Sequence, residues 1–368
     1  MSGATAPSFT NFDIGSMRLK NRLAVAPMTR VSASETGAPT EDMSSYYERF
    51  AKGGFGLIVT EGFYIDQQSS QGYLYQPGMS DADQANAWKP LVQRLQTYST
   101  AVVAQIMHAG ALSQGNRFTE VHVAPSAVKP KGEQMAFYFG KGTYQMPEAM
   151  SEEDIEQVIA SFVSSAKLAV DNAGFDGVEI HAANGYLLDQ FLTDYTNQRD
   201  DRWGGSLSGR VTLMVAVLEA VKAAVGDRVP VGVRISQGKV NDFTHKWAEG
   251  EDAAKQIFTA LKTAGADYIH VTEYEAWQPA FEGGTKSLVS LAHQYAPDVA
   301  IIANGNLHQG NHSAEMLVQG ADVIAFGRAA LANPDLPQKL AGGVDLEEFD
   351  SEILGPIANI KQQELALA

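Results

Sequence analysis

Short apolar runs alternate with longer amphipathic stretches along almost the whole chain. The apolar runs are rich in Val, Ile and Ala, and they predict eight strands at residues 23–28, 57–61, 102–107, 177–181, 231–236, 268–272, 300–304 and 323–327. The stretches between them have apolar residues at helical spacing and predict helices near 41–52, 82–99, 152–173, 207–225, 250–264, 285–296, 309–319 and 333–341. Strands that alternate with helices in this way are typical of repeated βα units.

Eight βα units in one chain predict an α/β fold of a particular kind, a single closed (β/α)8 TIM barrel. An open doubly wound sheet would need a glycine-rich phosphate loop after its first strand, and the segment Ala26-Pro27-Met28-Thr29-Arg30 cannot serve as one. We expect one barrel domain over residues 1–368, with its core at about 21–341. The segments outside the βα pattern are a hairpin at 9–20 that closes the barrel floor, an active-site loop insertion at 108–150 after the third strand, and a C-terminal tail at 342–368.

Composition and charge exclude several classes of function. The 368 residues contain no cysteine, which excludes disulfides, iron–sulfur clusters and cysteine nucleophiles, and the eight histidines show no paired metal-ligand spacing. A net charge of −16 disfavours nucleic acid as a partner. No apolar stretch is long enough to span a bilayer and no secretory signal is visible, so we expect a cytoplasmic protein that does not bind membranes. Monomer and homodimer both stay open.

Polar residues gather where the last two predicted strands end, which is where TIM barrels commonly bind phosphate. The seventh strand is followed by Gly305 and Asn306, and the eighth by Gly327 and Arg328. Glycine lets the backbone approach an anion closely, and arginine supplies a fork of donors that matches phosphate oxygens. Either pair alone could simply end a strand, but the two together predict a phosphate site.

The fourth strand ends in His181, closely followed by Asn184 and Tyr186. The imidazole and the amide are two donors that can hold one carbonyl oxygen, and the tyrosine hydroxyl stays protonated near neutral pH and can give up a proton. A structural histidine beside a loop asparagine explains the same residues about equally well. Arg234 on the fifth strand is open to two interpretations, a charge partner for Glu179 or a cation beside an electron-accepting ring.

The chain resembles a known family, the Old Yellow Enzyme family of FMN-dependent oxidoreductases, from about residue 21 to 337. The matching motifs are Ala26-Pro27-Met28-Thr29-Arg30, Thr60-Glu61-Gly62, the run from Ala104 to Gly110, the run from His181 to Leu192, Asn197 to Asp201 with Trp203 to Ser206, Val233-Arg234-Ile235-Ser236, and the run from Gly327 to Asp335. Their order and spacing are far more specific than any one of them.

The resemblance implies a role for each candidate residue. Pro27, Met28, Thr29, Gly62, Gln105 and Arg234 would contact the flavin ring of tightly bound, non-covalent FMN, and the four phosphate-site residues would hold its phosphate. His181 and Asn184 would bind the carbonyl oxygen of the substrate, and Tyr186 would protonate its α-carbon. Met107 lies where many relatives carry tryptophan, so the resemblance implies a differently shaped substrate pocket.

The resulting hypothesis is an NAD(P)H-dependent ene-reductase that acts on α,β-unsaturated carbonyl compounds, with nitro compounds as a further substrate class. One alternative is a flavin-free barrel lyase or isomerase that acts on a phosphorylated substrate. It lacks a lysine at a predicted strand end for Schiff-base chemistry. The other alternative is a small-molecule binding protein without catalysis.

Overall fold

The computed structural model describes residues 7–309 and 311–365, and all eight predicted strands are present. The strands, in chain order, are β1 (Phe12–Ile14), β2 (Met17–Leu19), β3 (Leu23–Val25), β4 (Leu57–Val59), β5 (Phe63–Tyr64), β6 (Ala101–Met107), β7 (Val123–Ala124), β8 (Glu148–Ala149), β9 (Gly177–Asn184), β10 (Val231–Lys239), β11 (Tyr268–Thr272), β12 (Ala300–Asn304) and β13 (Val323–Phe326).

Each of the eight predicted amphipathic stretches contains an α-helix, and the described residues form three further short helices that were not predicted. The α-helices are α1 (Glu41–Lys52), α2 (Ala82–Gln96), α3 (Glu152–Lys167), α4 (Leu187–Leu192), α5 (Leu207–Val225), α6 (Glu251–Thr263), α7 (Leu288–Tyr295), α8 (His312–Val318), α9 (Arg328–Ala332), α10 (Leu336–Gly342) and α11 (Gln362–Leu365). Helix α3 begins with a capping box in which Ser151 and Asp154 satisfy each other's backbone N–H groups. In the described ranges no helix is both long enough and apolar enough to cross a bilayer.

Eight parallel strands close into a barrel, which confirms the predicted fold class. The order is β3-β4-β6-β9-β10-β11-β12-β13, and β13 pairs back with β3. Strand β5 adds to the carboxyl end of β6, where Phe63 is opposite Ile106. Because all eight strands run in one direction, their carboxyl ends surround a single mouth, and the residues that follow them come together there.

The barrel floor is closed by the amino-terminal hairpin, as the sequence predicts. Strands β1 and β2 pair antiparallel and place Ile14, Met17 and Leu19 in an apolar cluster with inward residues of the barrel such as Val59 and Ile302. A larger cluster fills the layer between the barrel and its helices. With the floor sealed, access to the barrel interior is from the mouth.

Two strands extend beyond their predicted ends. Strand β9 continues to Asn184 rather than 181, and β10 continues to Lys239 rather than 236, because the two strands keep pairing across an irregularity between Ile235 and Lys239. The insertion at 108–150 contains the small parallel sheet of β7 and β8 and two short 3-10 turns. Its Met135, Phe137 and Tyr138 reach the mouth and form part of its wall.

Substitution of Leu19 by alanine tests the floor hairpin. Leu19 is fully buried, so Leu19→Ala is expected to lower the free energy of unfolding by about 2–5 kcal/mol, the usual cost of truncating a core leucine. Asp13→Ala, at an exposed position of the same hairpin, is the matched control and should leave stability nearly unchanged. Urea denaturation followed by circular dichroism measures both; equal effects would show that the hairpin does not seal the core.

Candidate active site

A cavity of about 720 Å³ opens at the mouth of the barrel, within the size range of cofactor and ligand sites. Every residue predicted from the sequence for the site lines it. These residues are Pro27, Met28, Thr29, Gly62, Gln105, Met107, His181, Asn184, Tyr186, Arg234, Gly305, Asn306, Gly327 and Arg328. Residues that are up to three hundred positions apart in the chain therefore share one space.

A buried carboxylate lies beneath this cavity. Glu179 on β9 is fully buried and accepts hydrogen bonds from Gln105 Nε2 and from the His270 ring, each at 2.8 Å. Burial alone would raise the pKa of Glu179, but His270 and Arg234 outweigh that effect and hold the pKa below its ordinary value. The carboxylate is therefore charged, and it fixes the amide of Gln105 at the edge of the cavity.

Arg234 on β10 is oriented by the neighbouring strands. Its Nη2 donates to Thr272 Oγ1 and Asn304 Oδ1, each at 3.2 Å, whereas its buried Nε has no partner among the described residues. The direct ion pair with Glu179, one of the two interpretations of the sequence, is not formed in the described part of the chain. A buried cation with an unused donor fits a ligand that carries negative charge at this position, as a reduced flavin ring would.

His181 and Asn184 present hydrogen-bond donors to the same cavity. The backbone N–H of Ala183 donates to His181 Nδ1 at 3.2 Å, so the ring proton of the neutral imidazole is on Nε2. Burial lowers the pKa of His181 well below its ordinary value, and Arg234 and His270 lower it further. Asn184 has a left-handed backbone with φ of 63°, held by hydrogen bonds to Ser236 Oγ at 2.9 Å and from Val240 at 3.1 Å.

The hydroxyl of Tyr186 pairs with a second tyrosine, Tyr73, through a short hydrogen bond. Both side chains are buried, and the Tyr186 ring meets the His181 ring edge-on at 4.9 Å. Burial raises the pKa of Tyr186, although the Tyr73 hydroxyl and Arg234 oppose the effect. The phenol is therefore protonated at neutral pH. Sequence reasoning assigned no role to Tyr73, which lies in a loop more than a hundred residues away.

The far end of the cavity has the features expected of a phosphate site. The backbone N–H groups of Gly305, Asn306 and Gly327 have no hydrogen-bond partner among the described residues. At Gly327 a side-chain Cβ would meet only the Met28 sulfur, at 3.7 Å, so the backbone there faces open space. Gly305 has a further reason to be glycine, because its φ is 143° and a Cβ would lie 2.2 Å from the Glu273 carbonyl oxygen.

The structure adds wall residues to which the sequence assigns no role. Phe243 and Tyr274 are two exposed aromatic residues at the rim, and Leu354 reaches the cavity from the C-terminal region. One expectation was wrong: with the longer β10, Lys239 does stand at a strand end and lines the cavity. Its Nζ is bound to both oxygens of buried Asp189, at 2.8 and 2.9 Å, so it is not a free nucleophile.

A second buried carboxylate, Glu61, precedes Gly62 in the wall. It accepts the backbone N–H of Arg30 at 3.0 Å, and Tyr47 O–H lies 3.3 Å from its other oxygen. Burial raises the pKa of Glu61 to about 7, although the hydrogen bonds from Arg30 and Tyr47 lower it. Glu61 is therefore a titrating group directly behind the cavity.

Comparison with known proteins gives consistent matches over nearly the whole chain. Residues 7–347 match the NADH:flavin oxidoreductase / NADH oxidase family. A probable flavin mononucleotide-dependent alkene reductase of Leishmania infantum is 32% identical over 345 residues, which cover 92% of this chain and 91% of the relative. The old yellow enzyme homologue of Zymomonas mobilis superposes with a TM-score of 0.85 at 29% identity, covering 97% and 98% of the two chains. Morphinone reductase in complex with tetrahydroNAD superposes with a TM-score of 0.82 at 30% identity, covering 95% and 94%.

The titration of Glu61 predicts how stability depends on pH. The pKa of Glu61 in the folded protein is about 7, above the ordinary value of 4.5, so the folded state binds the proton more tightly than the unfolded state does. The free energy of unfolding should therefore fall by up to about 3 kcal/mol as the pH rises from 5 to 8. Glu61→Gln cannot titrate, so the stability of the wild type relative to this variant should fall over that range.

Urea denaturation with saturating FMN at pH 5, 6, 7 and 8 measures this difference. Glu347→Gln, which removes a carboxylate that is 75% exposed, is the control and should follow the wild type at every pH. A difference between wild type and Glu61→Gln that does not change with pH would contradict the prediction.

Proposed function

The chain belongs to the NADH:flavin oxidoreductase / NADH oxidase family, which is the Old Yellow Enzyme family that its motifs resemble, and we propose that the barrel mouth is its active site. The protein is an FMN-dependent ene-reductase that uses NAD(P)H as reductant. The observation that carries the assignment of the site is that His181, Asn184 and Tyr186 line one cavity. Arg234 and Arg328 line the same cavity and form no ion pair in the described ranges.

In this proposal the residues of the cavity would hold FMN. Pro27, Met28, Thr29, Gly62, Gln105 and Arg234 would contact the flavin ring, and Gly305, Asn306, Gly327 and Arg328 would hold the phosphate. The chemistry that bound FMN would supply is a two-electron relay, by which a hydride from NAD(P)H reaches the β-carbon of an α,β-unsaturated carbonyl compound. Arg234, whose Nε is unused, would stabilise negative charge on the ring, and Arg328 would neutralise the phosphate.

Two donors polarise the carbonyl group of the substrate. His181 offers Nε2–H because its Nδ1 is already an acceptor, and Asn184 offers its side-chain amide. The lowered pKa of His181 keeps the imidazole neutral, so it donates a hydrogen bond to the oxygen without losing a full proton to it. Negative charge that develops on the carbonyl oxygen is thereby stabilised by groups that are already oriented.

The proton that completes the reduction comes from Tyr186. Its hydroxyl is protonated at neutral pH, and Tyr186 lines the same cavity as His181 and Asn184, the two donors to the carbonyl oxygen. Donation of this proton to the α-carbon leaves a phenolate, which the Tyr73 hydroxyl and the nearby positive charge of Arg234 stabilise. Because hydride and proton add to adjacent carbons, the product is the saturated carbonyl compound.

The lyase and isomerase alternative has no support in this cavity. Lys239 is the lysine at a strand end, and its amine is held by Asp189 in a buried ion pair. A Schiff base would require that pair to break, which leaves an uncompensated buried carboxylate.

The activity can be tested directly on the purified protein. It should be yellow, lose its colour when NADPH is added without oxygen, and recover the colour when 2-cyclohexenone is then added. Absorbance of the flavin follows each step. A colourless protein that takes up no FMN, or a bleached flavin that the enone does not reoxidise, would contradict the proposed function.

Substitution of Tyr186 tests the proton donor. Tyr186→Phe is expected to slow reoxidation of the reduced flavin by the enone by about 10²- to 10⁴-fold, the usual contribution of a positioned general acid. Reduction of the flavin by NADPH should be unchanged, because that step needs no proton at the substrate α-carbon. Anaerobic stopped-flow absorbance separates the two steps.

Tyr144→Phe is the matched control for this variant. Tyr144 is a buried tyrosine of the same apolar cluster, does not line the cavity, and its hydroxyl has no partner among the described residues. Both half-reactions should keep their wild-type rates. If Tyr186→Phe also keeps them, another group supplies the proton.

A further inference from the structure

The last described residues lie against one wall of the barrel mouth. Residues 357–365, here called the C-terminal strap, pack on the segment that follows β3. Arg30 Nε donates to the Ala358 carbonyl at 3.0 Å, and the backbone N–H of Ile360 donates to Ser32 Oγ at 2.9 Å. The Ala358 N–H also donates, at 2.8 Å, to the carbonyl of Phe137 in the loop insertion. The strap thus joins two walls of the cavity that are distant in sequence.

A buried charge cluster fastens the strap. Glu364 accepts two hydrogen bonds from Arg30, with Nη1 at 2.7 Å and Nη2 at 2.5 Å, and a third from Arg49 Nη2 at 3.0 Å. All three side chains are at most 1% exposed, so water does not screen the interaction. Loss of the carboxylate would leave two buried guanidinium groups facing each other without an anion, which is strongly unfavourable.

The same cluster reaches the cavity through Arg30. Arg30 itself lines the cavity and directly follows Thr29, so the two residues share one stretch of backbone. Its backbone N–H is held by Glu61, which precedes Gly62 in the neighbouring wall, because β3 pairs with β4. Any movement of Arg30 that follows release of the strap therefore shifts Thr29 and Gly62 as well.

We propose that the C-terminal strap is a positioning element for the cofactor: Glu364, through Arg30 and Arg49, holds the wall formed by Pro27 to Thr29 in the shape that binds FMN. The proposal rests on the proposed function, because it requires FMN in this cavity. None of the strap residues needs to touch the cofactor. Instead, binding of FMN to the cavity and docking of the strap on the barrel are coupled.

Coupling of this kind is reciprocal, which gives a test on the unmodified protein. If a docked strap favours FMN binding, bound FMN must favour the docked strap by the same factor. Hydrogen–deuterium exchange of the strap amides should therefore slow by about tenfold when FMN is added to the apoprotein, a typical size for coupling between two sites. Amides of helix α5, on the outside of the barrel, are the internal control and should keep their rates.

The variant Glu364→Gln tests the charge cluster. It keeps the shape of the side chain but removes the charge, and the dissociation constant of FMN from the apoprotein should rise about tenfold. Quenching of free FMN fluorescence measures it. Glu347→Gln removes an exposed carboxylate that pairs with Lys339 in the same C-terminal region, and should leave the dissociation constant unchanged. A purely structural role for Glu364 would lower the stability of the apoprotein without changing this constant.

The outcomes separate this inference from the proposed function. Slower strap exchange with FMN, together with weaker FMN binding in Glu364→Gln, supports the strap. FMN that binds without changing strap exchange overturns it while leaving the ene-reductase intact. If Glu364→Gln does not fold, the exchange measurement on the wild-type protein decides. If the protein binds no FMN at all, the proposed function itself fails.

Discussion

The buried negative charge of Glu179 is the interaction on which the arrangement of the site depends. A carboxylate in a dry interior persists only if donors and cations surround it. Glu179 obtains them from β6 through Gln105, from β11 through His270 and, over a longer distance, from β10 through Arg234. One side chain on β9 thereby constrains three of the strands around it. It also favours the charged state of Arg234, whose pKa burial would otherwise lower further.

The fold and most of the site could be predicted from the sequence because both follow from the geometry of a closed parallel barrel. Parallel strands in a barrel are short apolar runs, so their positions could be identified without knowledge of tertiary contacts. Once eight strands were identified, closure of the barrel required their carboxyl ends to share one mouth. Residues such as Gly62, His181 and Arg328, which follow different strands, were therefore expected in one place.

What could not be predicted depends on contacts without a local sequence signal. Tyr73 meets Tyr186 from a loop 113 positions earlier, and Glu364 meets Arg30 across 334 positions. Neither pair has a spacing that a periodicity argument could use. The extension of β10 to Lys239 was missed for another reason: the strand passes an irregularity after Ile235, and the polar residues beyond it read as loop. Contacts of this kind are decided by which loops the barrel brings together.

The charge of the cavity differs in sign from that of the protein. The whole chain carries a net charge of −16, yet in the described ranges Arg234 and Arg328 form no direct ion pair, whereas Lys246 at the rim is paired with Glu273. At physiological ionic strength, charges more than about 8 Å apart in solvent are largely screened, so distant surface carboxylates contribute little repulsion where a ligand binds. Both arginines line one cavity, Arg234 at the proposed ring site and Arg328 at the proposed phosphate site. A ligand with negative charge at both ends satisfies both arginines at once, and FMN in its reduced form is such a ligand.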